Sequence, residues 1–240
     1  MSVGSRKISD GWIAVIIVTS VLVIDQIVKI WVKTNMCLHE SIHVTDWFYI
    51  LFVENNGMAF GMSLGSKLVL SIFRVLAIGV LGWYIGRQVR NHARTLYIVL
   101  LSMVLAGAAG NLVDCMLYGL VFDSSTPFDV SSFVEFGTGY APFLMGKVVD
   151  MFYFPLIEST WPEWMPFWGG QSCVFFSPVF NFADSSISVS VVLLLLFCRR
   201  ELSTIGSNAA ATSSEDESEQ PEDGAELQDE VKVQPVDTEQ

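Results

Sequence analysis

The chain has 240 residues, 52% of them hydrophobic and only 16% charged, with a mean hydropathy of +0.49. That composition excludes an ordinary soluble domain and points to several membrane spans. The net charge of −12 is local: twelve of the 25 acidic residues and one of the 13 basic ones lie in residues 201–240, which leaves residues 1–200 at −1.

Crossing about 30 Å of hydrocarbon takes about 20 helical residues. Four stretches qualify, at about 12–32, 68–86, 96–121 and 180–198. The first continues into a full span and shows no small-residue cleavage site, so it reads as a helix and not as a cleavable signal. The expected fold class is an all-α membrane protein: four transmembrane helices with a small outward-facing β segment and an interfacial segment. Every span carries polar residues: Asp25 and Lys29, then Arg74, then Asn111 and Asp114, then Asp184. Charge at membrane depth is costly, so these side chains are expected to face one another inside a bundle.

Between the first two spans, "HVTDWFYILFVENNGMAFGM" mixes aromatic and β-branched residues before Asn-Asn-Gly, which reads as short strands with a tight turn. The third connection, 122–177, ends in "WPEWMPFWGG", and Trp161, Trp164 and Trp168 suit an amphipathic segment at the membrane interface. Residues 1–200 are expected to form the membrane domain. Residues 201–240 read as a disordered acidic tail.

Orientation follows from Lys and Arg in short loops. Arg6 and Lys7 precede the first span, Arg87, Arg90 and Arg94 follow the second, and Arg199 and Arg200 follow the fourth. With four spans these clusters share one side, so both termini are expected in the cytoplasm. Cys37, Cys115, Cys173 and Cys198 form no CxxC pair and suggest no disulfide framework.

The fourth span opens with "VFNFADSS", which sets an ionisable carboxylate at a helix start. As an isolated feature Asp184 is explained by helix capping. A catalytic role needs a second carboxylate, and the candidates are Asp25, Asp114, Asp123, Asp129 and Asp150. Asp150 stands out because the apolar and aromatic surroundings of "GKVVDMFYFP" oppose its ionisation. Two carboxyls held close in a partly dry site share a proton and can act as acid and base together. Asn181 lies one turn before Asp184, so amide and carboxyl can face the same way. Asp25 and Lys29, at i and i+4, can neutralise each other. Asn111 and Asp114 share a face of the third span, and the small residues around Gly107 and Gly110 suit close helix packing.

In order along the chain, "DQIVK", "NNGMAFG", "GNLVD", "VVDMF" and "FNFAD" resemble the motifs of the type II (lipoprotein) signal peptidases. The likeness covers about residues 10–200. It implies an intramembrane aspartic endopeptidase of the bacterial cytoplasmic (inner) membrane, which removes signal peptides from diacylglyceryl-modified prolipoproteins just before the lipidated Cys. The resemblance makes Asp150 and Asp184 the catalytic pair and matches Asn55, Asn111, Asp114, Asn181, Asp25 and Lys29 to polar residues around the site. It implies no metal or organic cofactor, and as partners lipidated prolipoproteins and membrane lipids, with no nucleic acid. Two departures stand out. The family's Arg after G-N-x-x-D is Cys115 here, so its charge has to come from another residue, with Arg74 and Lys147 as candidates. The family's usual spacing of nine residues beyond Asp114 falls on Asp123, whereas Asp150 lies 36 residues on, which an insertion of about 27 residues would explain. A small transporter or channel with a buried carboxylate pathway is the alternative from another class.

Overall fold

The structure is a computed structural model that describes residues 9–56, 64–155, 157–160, 162–167, 169–175 and 178–203. Arg6, Lys7, Trp161, Trp168, the segment 57–63 and the tail 204–240 lie outside the described residues.

Helices dominate. α1 spans Asp10–Asn35, α2 Leu64–Arg90 and α3 Thr95–Val113. α3 runs on through a π-turn at Asp114–Tyr118 and a short α4 at Gly119–Val121. α5 spans Phe182–Phe197. Among the described residues, three helical stretches are long and apolar enough to cross a membrane: Asp10–Asn35, Lys67–Arg90 and Thr95–Val121. α5, with 16 residues, is apolar but shorter. The first three match or exceed a stretch read from the sequence, because helical hydrogen bonding continues past the apolar run into polar flanks such as Lys33 and Arg87, whereas α5 falls short of 180–198 because Val179 and Phe180 form a strand.

α3 is the central helix and packs against α1, α2 and α5. Glycine permits this approach. A Cβ on Gly107 would meet the Ala183 carbonyl oxygen and come within 2.6 Å of Ile187, and one on Gly110 would sit 2.7 Å from Asp25 Oδ2. Outward positions of α1, α2 and α5 are large and apolar, as at Trp12, Ile27, Phe73, Leu76, Val192 and Phe197. In water such surface would be a liability, and in lipid it is the expected coat.

A four-stranded antiparallel sheet caps one end, in the order β1 (Ser41–Thr45), β2 (Phe48–Asn55), β3 (Val148–Tyr153), β6 (Val179–Phe180). The expected strands are present, but the hairpin turns at Asp46 and Trp47, while Asn55 still pairs with Val148 as the last residue of β2. Asn-Asn-Gly is therefore not the hairpin turn: the register of the β1–β2 pair closes seven residues earlier. A second hairpin pairs β4 (Ile157–Thr160) with β5 (Ser172–Phe175), and Trp164 is exposed in its connection. Among the described residues the connection between these two strands runs through turns.

The loop of 122–147 is anchored to α3. Phe122 bridges to Phe133, Gly146 N donates to Cys115 O at 2.9 Å, and a Cβ on Gly146 would collide with the Asp114 carbonyl. This close approach sends β3 directly past the π-turn. Val149 and Met151 then enter a core with Val32, Met36, Phe52, Tyr118 and Phe122. Strand alternation turns the intervening Asp150 the other way.

Candidate active site

α5 begins with a capping box. Asn181 is the N-cap: its Oδ1 accepts from Asp184 N at 2.8 Å, while the Asp184 carboxylate reaches back to Asn181 N at 3.5 Å. Asp184 therefore stands at the third helical position, inside the cap and not at it. The other carboxylate oxygen, Oδ1, accepts from Asn111 Nδ2 at 2.7 Å. Asn181 Nδ2 donates to Asp150 Oδ1 at 2.7 Å and to Asn111 Oδ1 at 3.1 Å. Two side-chain amides, Asn181 on Asp150 and Asn111 on Asp184, thus link the two carboxyls through their own hydrogen bond. Asn55, on the same sheet face as Asp150, also hydrogen-bonds it.

Beneath this pair lies an ion cluster between α1 and α3. Lys29 Nζ sits 2.9 Å from Asp25 and 2.8 Å from Asp114, all three with fully buried side chains, and donates to Asn111 Oδ1 at 2.9 Å. With two carboxylates and an amide around it, the ammonium is fully partnered, the condition under which burial of a charge is tolerable. Each carboxylate also holds backbone: Asp25 accepts from Ala183 N at 2.9 Å and Asp114 from Val149 N at 3.3 Å. The cluster therefore ties α1 and α3 to the residues flanking Asp184 and Asp150.

Asp150 sits outside the spans and has its pKa raised to about 7. Burial is the main cause and the nearby Asp184 charge the second, with the hydrogen bonds from Asn181 and Asn55 opposing both. The carboxyl is thus half protonated near neutrality, the state required of a group that both gives and takes a proton.

Asp123 lies elsewhere. Its Oδ1 accepts from Ser131 Oγ and Ser132 N, both at 2.8 Å, and so organises the loop. Asp129 takes part in a local turn with Thr126. Arg74 reaches the departed family position: its Nη1 lies 3.3 Å from Cys115 Sγ.

Sequence reasoning gave no role to Gln26, Lys33, Glu54 or Ser125. Gln26 Nε2 donates to Asp114 Oδ1 at 2.9 Å and its Oε1 accepts from Tyr118 OH at 3.1 Å. Glu54 lies 2.6 Å from Lys33 and 2.8 Å from Lys147, and Ser125 Oγ donates to it at 2.8 Å. Burial opposes ionisation of Glu54, but the two lysines outweigh it and hold the carboxyl below its ordinary range. The available signal was Lys33 at i+4 from Lys29 on one face of α1.

An apolar helical bundle holding two amide-linked carboxyls under a small sheet defines an aspartate site within a membrane protein. The fold has counterparts among solved structures: two described as a bacterial membrane enzyme superpose with a TM-score of 0.52 at 22% identity, covering 76% and 80% of this chain and 90% of each of theirs. The chain belongs to the signal peptidase II family, a family of proteases, whose profile, "Signal peptidase (SPase) II", matches residues 17–199. A lipoprotein signal peptidase of Porphyromonas gingivalis is 46% identical over 200 residues, covering 83% of this chain and 88% of that one. Another, of Amoebophilus asiaticus, is 32% identical over 184 residues, covering 73% and 72%.

Proposed function

We propose that this protein cleaves signal peptides from diacylglyceryl-modified prolipoproteins, with Asp150 and Asp184 as the catalytic pair. The observation that carries the assignment is Asn181, whose amide hydrogen-bonds Asp150 and caps the helix that bears Asp184. One carboxylate takes a proton from water as the water attacks the scissile carbonyl. The protonated partner delivers its proton to the leaving amine. Asn111 and Asn181 keep the two carboxyls aligned, and the Asp25–Lys29–Asp114 cluster braces both asparagines' helices. The names of the relatives support lipoprotein precursors as the substrate class.

The same reading takes residues 1–200 as the peptidase domain, with α5 as a fourth span of the inner membrane and both termini cytoplasmic. Lys and Arg in 1–7, 87–94 and 199–200 support that orientation. A buried Lys29 neutralised by Asp25 and Asp114 fits a braced site better than an ion path. The test is incubation of purified protein with a diacylglyceryl-modified precursor, read as a shortened product whose new N-terminus is the lipidated Cys. Product from an unmodified precursor at the same rate, or no product at all, would refute the assignment.

A further inference from the structure

One face of α2 carries cations that the carboxylate network does not use. Lys67, Ser71 and Arg74 are four and three residues apart and so share a face, while Val69, Ile72, Phe73 and Leu76 on the same helix are exposed. Ser71 Oγ donates to Leu144 O at 2.9 Å, which seats this face on the loop before β3. Lys67 is 5% exposed, and among the described residues its hydrogen bond is to the neutral Oδ1 of Asn56 at 3.3 Å. Arg74 meets the Cys115 thiol, a weak and uncharged acceptor.

Charge does not balance there. Lys67 is within electrostatic reach of Arg74, Lys147 and Glu54. Glu54 is already shared by Lys33 and Lys147. The segment 57–63 that joins β2 to α2 reads Gly-Met-Ala-Phe-Gly-Met-Ser and contains no carboxylate. Asp123 lies within electrostatic reach of Lys33. Among the described residues, Lys67 and Arg74 are thus the cations of this group with no ion pair of their own. Lys67 also lies in the first turn of α2, where the helix dipole is itself positive. A buried cation left in this state is costly, and an anion seated among the three side chains removes the imbalance.

We propose that Lys67, Arg74 and Lys147 form an oxyanion site that takes a phosphate group at the sheet end of the bundle. A planar guanidinium flanked by ammonium groups matches the tetrahedral oxygens of phosphate. At a membrane boundary the abundant source is a phospholipid headgroup, and the free ion is the other.

Thermal unfolding of the full chain in phosphate-free non-ionic detergent tests this. Short-chain phosphatidylglycerol, the matching diacylglycerol without phosphate, and inorganic phosphate are titrated in parallel. The expected result is a saturable rise in Tm of several degrees with phosphatidylglycerol and none with diacylglycerol. The rise is expected to vanish in Lys67→Gln/Arg74→Gln and to persist in Arg74→Lys. An equal saturable rise with inorganic phosphate, lost in the same variant, also supports the site and makes the headgroup unnecessary. No saturable rise in the wild-type chain, an equal rise with diacylglycerol, or an undiminished rise in the double variant overturns the proposal. The wild-type titrations decide it even if the double variant does not fold.

Discussion

At the scale of single residues, Asp150 and Asp184 are distinguished by what surrounds them. Asp150 is fixed by a strand and two amides, Asp184 by a helix cap and one amide. Asp150→Asn and Asp184→Asn are nearly isosteric, so each is expected to fold and to lose about 10²–10⁴-fold in cleavage rate. The double variant is expected to be little slower than either, because the pair acts as a unit. Asp123→Asn is expected to retain most activity at matched protein levels, and its loss together with an active Asp150→Asn would move the pair to the shorter spacing. The titration of Asp150 adds a second prediction. Its folded pKa of about 7 lies above the ordinary 3.8, so the folded state holds a proton that the unfolded chain has released. The resulting contribution to stability is fully present below about pH 4 and disappears as pH rises through 7. Asp150→Asn, which never ionises, is therefore expected to unfold at a higher temperature than wild type at pH 8, with the gap closing towards pH 4. Thermal scans of both proteins at the two pH values check this. The cleavage rate of the wild type is expected to fall above about pH 7, as the shared proton is lost.

At the scale of elements, the site depends on how closely α3 approaches α1 and α5. Gly110 faces the Asp25 carboxylate and the Ala183 methyl, with 2.7 Å and 3.2 Å available to an added Cβ. Gly110→Val is expected to abolish cleavage and lower Tm. Gly79→Ala, where nothing lies within 4 Å, is expected to leave activity intact and to favour the helix by up to about 1 kcal/mol. Activity and unfolding measured on both variants separate packing from propensity. The same contrast explains what was legible beforehand. Hydropathy located every helix, and motif order located Asp25, Lys29, Asn111, Asp114, Asp150, Asn181 and Asp184, all of which meet in one network. Local spacing also gave the Asp25–Lys29 pair. It could not give Asp114 as the third member, which comes from another helix, nor Glu54 with Lys33 and Lys147, which depends on strand register and on the loop of 122–147. The π-turn at Asp114–Tyr118 has no local sequence signal at all. Its apolar residues continue the helical pattern, and only the docking of Gly146 on the Asp114 carbonyl reveals the irregularity.

At the scale of the whole molecule, the sheet, the Asp150–Asp184 pair and the Lys67–Arg74 face all gather at one end of the bundle, while Arg87, Arg90 and Arg94 mark the opposite end. A basic loop between two spans is favoured on the cytoplasmic side. In the proposed orientation the sheet end faces outward, the side on which an exported precursor would present its cleavage site. This orientation requires α5 to complete a fourth crossing although it has only 16 helical residues. At 1.5 Å per residue it covers about 24 Å, a few ångströms short of the hydrocarbon thickness. The extended residues Val179 and Phe180 before the helix can span part of the remainder. The mismatch costs only fractions of a kcal/mol per ångström. Reporter fusions decide the arrangement. Alkaline phosphatase, active only outside the cytoplasm, is expected to be active when inserted after residue 128 and inactive after residue 92 or residue 203. Activity after residue 203 would make α5 a helix that turns back within the membrane, and would leave the bundle with three crossings.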